Sequence, residues 1–301
     1  MIAGRSSSIS GIICKIKNPD RLIRYLKPTF IFFRILSIDI VAGALAVSFY
    51  FSSLLNIVLP KIYWPALAIS VWLIYISDHM ADSLILNKPE LSRVLSFFLK
   101  RRLILILMTT FLAIILSMLL IMAPRSMVFF GAIGGIFVLA YLIINQAQNK
   151  YNILIIPREL IISLFYVYGT CGYPVFLAGK LSVIDVLFAI GIFFLTLTNV
   201  LIYSCFEHSK DRIEGVKSVA VIISERFAYV SGILCSSAAV LLFSVGLVSG
   251  IKSYYFSTTG LVMSLILLSI LLFRQFYRQK QLYGIIADLV FLIPWTISIF
   301  F

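Results

Sequence analysis

Long stretches of apolar residues, separated by short polar segments, run along almost the whole of this 301-residue chain. A helix needs about 20 mainly apolar residues to cross the hydrocarbon of a bilayer, and most of the stretches have that length. They are continuous and lack the alternation of period two that marks the strands of a membrane barrel. The pattern predicts nine helical spans, at residues 30–55, 62–76, 103–122, 127–144, 153–176, 183–206, 228–248, 255–273 and 282–301.

The predicted fold is therefore an all-α, multi-pass membrane protein. Residues 28–301 are expected to form a single transmembrane domain, behind a basic cytoplasmic tail at residues 1–27. Composition supports this prediction, because 61% of the residues are hydrophobic and only 12% are charged, whereas a soluble domain is roughly half apolar. The lipid bilayer is thus the first expected partner.

The basic residues predict the orientation of the spans. Most Lys and Arg residues lie in the tail and in the loops after the second, fourth, sixth and eighth spans. Loops rich in Lys and Arg stay in the cytoplasm, so the N-terminus is predicted inside and the C-terminus outside, in a bacterial inner membrane. The net charge of +13 is spread over loops beside the spans, where anionic lipid headgroups are the nearest partner, and nucleic-acid binding is not expected.

Two pairs of acidic residues mark the candidate site. Asp78 and Asp82 follow the second span, and Glu207 and Asp211 follow the sixth. Each pair is spaced i, i+4, so its carboxylates project from one helical face. A single such pair is more simply a solvated loop, but two matching pairs on one side favour a binding site. Mg²⁺ prefers oxygen ligands and is commonly held by carboxylates together with substrate phosphates, so these four acids are the predicted metal ligands.

Further polar residues extend this candidate site into the membrane. Asn199 and Tyr203 continue the line of Glu207 and Asp211 along the sixth helix, and Tyr75 precedes Asp78 on the second. Asp39 lies near the middle of the first span, where it either helps to bind a substrate or is a hydrogen-bonded structural residue. These side chains are predicted to line a cavity. The two histidines, His79 and His208, each follow the first acid of a pair. They are expected to support the metal ligands or to contact a substrate phosphate rather than to ligate a metal, and placement by chance is the alternative.

The segments around the acids resemble the UbiA superfamily of intramembrane prenyltransferases. The sequence YSCFEHSKDRIEGVKS, at residues 203–218, is similar to the second acidic motif of that family, including its GVKS-like ending. The sequence IYISDHMAD, at residues 74–82, matches the last two acids of the first motif, NDxxDxxxD. Ile74, Tyr75 and Glu207 depart from the usual Asn, Asp and Asp, which leaves fewer metal ligands.

The resemblance implies nine helices around a central cavity that opens sideways to lipid. It also implies an activity: Mg²⁺ bound by the acids holds the diphosphate of an isoprenoid donor, and the chain is transferred to a lipophilic or aromatic acceptor. The basic residues expected to bind the diphosphate are Arg34, Lys150, Arg158 and Lys217. Two alternatives stay open, namely a terpene cyclase of the same superfamily, which needs no acceptor, and a non-catalytic membrane protein or transporter.

Overall fold

A computed structural model describes residues 36–85, 93–151, 157–248, 251–279 and 282–299 of the chain. The chain divides into two units, Met1–Ile38 and Asp39–Phe301, and nearly all described residues belong to the second. The predicted basic tail and Arg34 lie outside the described residues, and nothing tests the domain boundary predicted at residue 28.

All regular structure in the described ranges is helical, which confirms the predicted fold class. In chain order the α-helices are α1 (Ile38–Leu54), α2 (Tyr63–Ile85), α3 (Arg93–Lys100), α4 (Arg102–Met122), α5 (Arg125–Tyr151), α6 (Arg158–Val167), α7 (Tyr173–Ala178), α8 (Val183–Phe206), α9 (His208–Glu214), α10 (Val219–Ile222), α11 (Glu225–Leu247), α12 (Ile251–Leu272), α13 (Arg274–Gln279) and α14 (Tyr283–Leu289). A π-helical turn, Tyr168–Gly172, joins α6 to α7, and a 3₁₀ segment, Val290–Ile299, follows α14.

Each of the nine predicted spans overlaps a helical segment of the described chain. Six segments are long and apolar enough to cross a membrane: Arg102–Met122, Arg125–Asn145, Arg158–Ala178, Val183–Phe206, Glu225–Leu247 and Tyr254–Leu272. Ile38–Leu54 and Tyr283–Thr296 are apolar but shorter, and α2 has 23 residues yet is not among the six. A multi-pass membrane protein is thus confirmed, while the count of nine crossings stays a prediction.

Glycines allow α8, α11 and α12 to pack closely in the core. An added Cβ at Gly191 of α8 would lie 2.8 Å from the ring of Phe243 on α11, and one at Gly260 of α12 would lie 2.3 Å from the same ring. Phe243 is completely buried and meets Phe188 edge to face, with the ring centroids 5.3 Å apart. These three helices form the most extensively packed part of the described structure.

The helices α4 and α5 lie at the outside of this arrangement. Large apolar side chains on both are exposed, among them Leu103, Phe111, Phe129 and Ile136. In a bilayer such faces meet lipid chains, so their exposure fits the assignment of both helices as membrane spans. The segment α6–α7 instead packs against α8. Its first residue, Arg158, forms an ion pair with Asp78 of α2.

Candidate active site

The first acidic pair lies on a helix, one turn apart, as the i, i+4 spacing predicts. The helix α2 extends to Ile85, beyond the predicted end of the second span at residue 76, so Asp78 and Asp82 are both part of it. Both residues are buried, with 7% and 4% of their surface exposed. Two carboxylates this close repel each other unless a cation lies between them.

Arg158 is that cation in this structure. Its Nη2 lies 2.5 Å from Oδ2 of Asp78, and its Nη1 lies 3.2 Å from Oδ2 of Asp82. The planar guanidinium can serve two acceptors at once, which a lysine ammonium cannot do with the same geometry. Arg158 was predicted to bind diphosphate, and the structure brings it directly to the first acidic motif.

Asn145 also reaches this pair, although the sequence analysis did not single it out. Its Nδ2 donates to Oδ1 of Asp78 over 3.5 Å, and the residue is buried near the end of α5. The sequence signal that could have identified Asn145 is its position at the end of a long apolar stretch, because a buried amide there needs a hydrogen-bond partner. Lys150 lies five residues further along α5, and its side chain is outside the described residues.

The second acidic pair lies where α8 ends. Glu207 is the residue between α8 and α9, and Asp211 lies within α9. The backbone hydrogen bonds continue across this junction, because the amide of Glu207 donates to Tyr203 and that of Asp211 donates to Glu207, at 2.9 and 2.8 Å. The predicted line of i, i+4 positions is therefore kept, although α8 itself ends at Phe206.

The carboxylate of Glu207 contacts a cation and a hydroxyl group from two other residues. Lys210 Nζ lies 2.6 Å from its Oε2, and the Tyr283 hydroxyl donates to its Oε1 over 3.2 Å. Neither Lys210 nor Tyr283 was predicted from the sequence, although the i, i+3 spacing of Lys210 to Glu207 was a visible signal. Burial, and to a lesser degree the nearby Glu207 carboxylate, raise the pKa of Asp211 to about 7.

Arg158 contacts the first pair directly and has only a weak electrostatic effect on Asp211 of the second pair. Its guanidinium acts on Asp211 as well as on Asp82, and Glu214 of α9 acts on Asp82. Within the described residues, no three His, Cys, Asp or Glu side chains form a group that could hold a metal ion by themselves. Convergence of all four acids on one ion therefore stays a prediction. The pair Asp78 and Asp82 alone supplies the donors that Mg²⁺ uses when phosphate oxygens complete its coordination.

The intramembrane polar residues named from the sequence have specific neighbours. The Tyr203 hydroxyl contacts the carboxylate of Asp288 on α14 and also the carbonyl oxygen of Gly284, the latter at 3.0 Å. The hydroxyl of Tyr75 lies close enough to Asp39, Asp78 and Asp288 for their charges to act on it. Tyr203 of α8 thus contacts Asp288 of α14, and Tyr75 of α2 lies near the same carboxylate.

Asn199 belongs to the same region one turn before Tyr203. Its Oδ1 is buried without a hydrogen-bond partner among the described residues. A buried carbonyl oxygen in this state can accept a hydrogen bond from a ligand, because leaving it unpaired costs free energy. Whether these residues line a lipid-open cavity stays a prediction.

The two histidines and Lys217 lie around the acids. The His79 ring packs against Phe98, with centroids 5.3 Å apart, and His208 Nδ1 lies 3.9 Å from Glu225 Oε2. Lys217 lies between α9 and α10, in the GVKS-like segment. Roles for these three residues in binding the diphosphate stay predictions.

Comparison with known proteins supports the fold. No protein-family model matches the chain, and a search of curated proteins found no match. Among solved structures, the apo structure of a UbiA homolog from Aeropyrum pernix K1 superposes with a TM-score of 0.56, at 13% sequence identity. The match covers 86% of this chain and 98% of the homolog.

The chain has a UbiA-like fold. The resemblance that rested on about 25 motif residues is thus confirmed over most of the chain at the level of the backbone arrangement. At 13% identity the likeness concerns the fold alone, so the chemistry must be argued from the residues of this chain.

Proposed function

We propose that the protein is an integral-membrane prenyltransferase, which moves an isoprenoid chain from an allylic diphosphate to a lipophilic or aromatic acceptor. One observation carries the proposal: within a UbiA-like fold, the guanidinium of Arg158 bridges the buried carboxylates of Asp78 and Asp82. A buried cluster of carboxylates around an arginine, at the end of apolar helices, is suited to a metal-bound diphosphate rather than to a neutral ligand.

Asp78 and Asp82 are the residues that would hold Mg²⁺, with Glu207 and Asp211 as the further ligands predicted from the sequence. When bound, the ion neutralises charge on the diphosphate and so makes it a better leaving group. Arg158 contributes N–H donors that can turn from the carboxylates to phosphate oxygens. Lys217 and Lys210 add positive charge near the second motif.

The chemical step breaks the bond between C1 of the allylic chain and the ester oxygen that joins it to the diphosphate, and the electron pair leaves with that oxygen. Basic side chains stabilise the charge that develops there. The resulting allylic cation is kept from water by the apolar helices until a nucleophilic atom of the acceptor bonds to C1 and releases a proton. Tyrosine rings near the site, such as those of Tyr75 and Tyr203, can stabilise the cation through their faces.

The test is to incubate the purified protein with Mg²⁺ and allylic diphosphates of graded length and to measure the release of diphosphate. Release that requires Mg²⁺ and an allylic donor supports the proposal. A prenylated acceptor identifies a transferase, whereas a cyclic hydrocarbon or alcohol made from the donor alone identifies the cyclase alternative. No release with any donor length would contradict the proposal and favour a non-catalytic protein or a transporter.

A further inference from the structure

Two consecutive residues at the start of α6 reach the two acidic motifs in different ways. Arg158 binds the side chains of Asp78 and Asp82 in the first motif. Glu159 binds the backbone just after the second motif, because its Oε1 accepts a hydrogen bond of 2.6 Å from the amide of Val219. The same helix start therefore touches both halves of the candidate site.

The contact made by Glu159 is deeply buried. The residue has 3% of its surface exposed, and Val219 is buried as well. Taking a carboxylate out of water is costly unless hydrogen bonds or charges compensate it. A position in the first turn of a helix is favourable for an acid, and the adjacent Arg158 acts on it electrostatically. The burial of this carboxylate against the Val219 amide therefore indicates a specific task.

That task concerns the segment that follows the GVKS-like sequence. Two successive amides of this segment are bound by side chains, that of Val219 by Glu159 of α6 and that of Ala220 by Ser204 of α8 over 3.0 Å. Both amides belong to the start of α10, where a helix has no carbonyl partners of its own for its N–H groups. The chain directly before them carries Lys217, so these bonds fix where the second-motif loop ends.

From this geometry we infer that Glu159 is a positioning residue, which holds the second-motif loop at a fixed place relative to Arg158 and thereby to the first motif. The inference rests on the proposed function for its consequence in catalysis, but the structural part stands on its own. Oε2 of Glu159 has no hydrogen-bond partner among the described residues, so a single oxygen performs the task. A neutral amide oxygen can accept the same bond.

The amide of glutamine therefore distinguishes a positioning role of Glu159 from a role that requires its negative charge. Glu159→Gln keeps an oxygen that can accept from Val219, whereas Glu159→Ala removes it. Asp185→Ala is a matched control, because Asp185 also accepts from a backbone amide, that of Ser182 over 2.8 Å, at the far end of α8. The control loses a bond of the same kind and leaves the candidate site unchanged.

Hydrogen exchange by mass spectrometry on a peptide covering residues 215–223 tests the structural part without any substrate. We expect exchange in Glu159→Ala to be faster by on the order of tenfold, and exchange in Glu159→Gln and Asp185→Ala to stay near the wild-type rate. Should Glu159→Ala not be recovered folded, Glu159→Asp replaces it, because the side chain is one methylene shorter and the faster exchange is again expected. Unchanged exchange in the Ala or Asp variant, or equally fast exchange in the Gln variant, would overturn the inference.

Diphosphate release tests the catalytic part. We expect Glu159→Ala to lower kcat/KM for the allylic diphosphate by on the order of tenfold, mainly through KM, and Glu159→Gln to restore it to within about threefold. Equal losses in Ala and Gln variants would show that the charge matters and would overturn the positioning role. If the wild type releases no diphosphate, the proposed function fails, while the exchange result still decides whether Glu159 holds the loop.

Discussion

The guanidinium of Arg158 lies 2.5 Å from the carboxylate of Asp78, although the two residues are 80 positions apart in the chain. This contact places the end of α2 and the start of α6 on the same side of the protein. It also supplies the cation that makes a pair of buried acids one turn apart tolerable. The same contact implies that Arg158 and a metal ion compete for Asp78 and Asp82.

Removal of Arg158 alone should destabilise the protein more than removal of Arg158 together with the negative charges of Asp78 and Asp82. Arg158→Ala leaves two carboxylates buried without compensation, so we expect a loss of about 3 kcal/mol in unfolding free energy. Arg158→Lys should recover only part of it, because an ammonium cannot reproduce the two-pronged contact. Thermal unfolding in detergent micelles measures both effects.

The triple variant Arg158→Ala, Asp78→Asn, Asp82→Asn is the control for this prediction. It removes the arginine and the negative charges together, so most of the lost stability should return. If Arg158→Ala unfolds at the wild-type temperature, the guanidinium is not the compensating charge for this pair.

The close packing of α11 and α12 gives a second stability prediction. Gly260→Ala places a Cβ within 2.3 Å of the ring of Phe243, which is completely buried and cannot move freely. We expect overpacking of this kind to cost about 1–3 kcal/mol. Gly135→Ala on α5 is the matched control, since no atom lies within 4 Å of the added Cβ, and it should leave stability unchanged. Equal unfolding temperatures for the two variants would argue against this packing.

The sequence predicted the helices and the acids better than it predicted their partners. Apolar length alone predicted the six long apolar helices, because the bilayer imposes that length, and the i, i+4 spacing correctly placed Asp78 and Asp82 on one helical face. Asn145, Lys210 and Tyr283 were missed. Their contacts depend on how helices pack against each other, and a single sequence carries little information on that packing. The Arg158 contact with the first motif was missed for the same reason, although the residue itself was predicted.

Some predictions from the sequence concern features that the described residues do not test. The orientation is one of them: the distribution of Lys and Arg predicts a cytoplasmic N-terminus and an outside C-terminus. A reporter active only in the cytoplasm, fused after Phe301, should be inactive, and one fused in the loop after the second span should be active. The contact of Arg158 with Asp78 agrees with the alternation of sides, because it joins the end of α2 to the start of α6. Cytoplasmic activity of the C-terminal fusion would refute an odd number of crossings.

The sharpest prediction concerns the acids themselves, since it separates catalysis from a purely structural role. Asp78→Ala and Asp211→Ala should each slow diphosphate release by about a hundredfold or more, because a lost ligand weakens the stabilisation of the leaving group by a few kcal/mol. Asn at either position should be nearly as damaging, since the negative charge is what a metal ion requires.

These variants should remain folded, because Arg158 keeps Asp82 as a partner when Asp78 is replaced. Asp185→Asn, at the opposite end of α8, serves as the control for the general effect of removing an acid and should keep the wild-type rate. A metal titration adds an independent measurement: half-maximal release should need more Mg²⁺ in Asp78→Asn than in the wild type if that carboxylate is a ligand. Wild-type rates in the Asp78 and Asp211 variants, with the same product formed, would rule out a diphosphate mechanism at these residues.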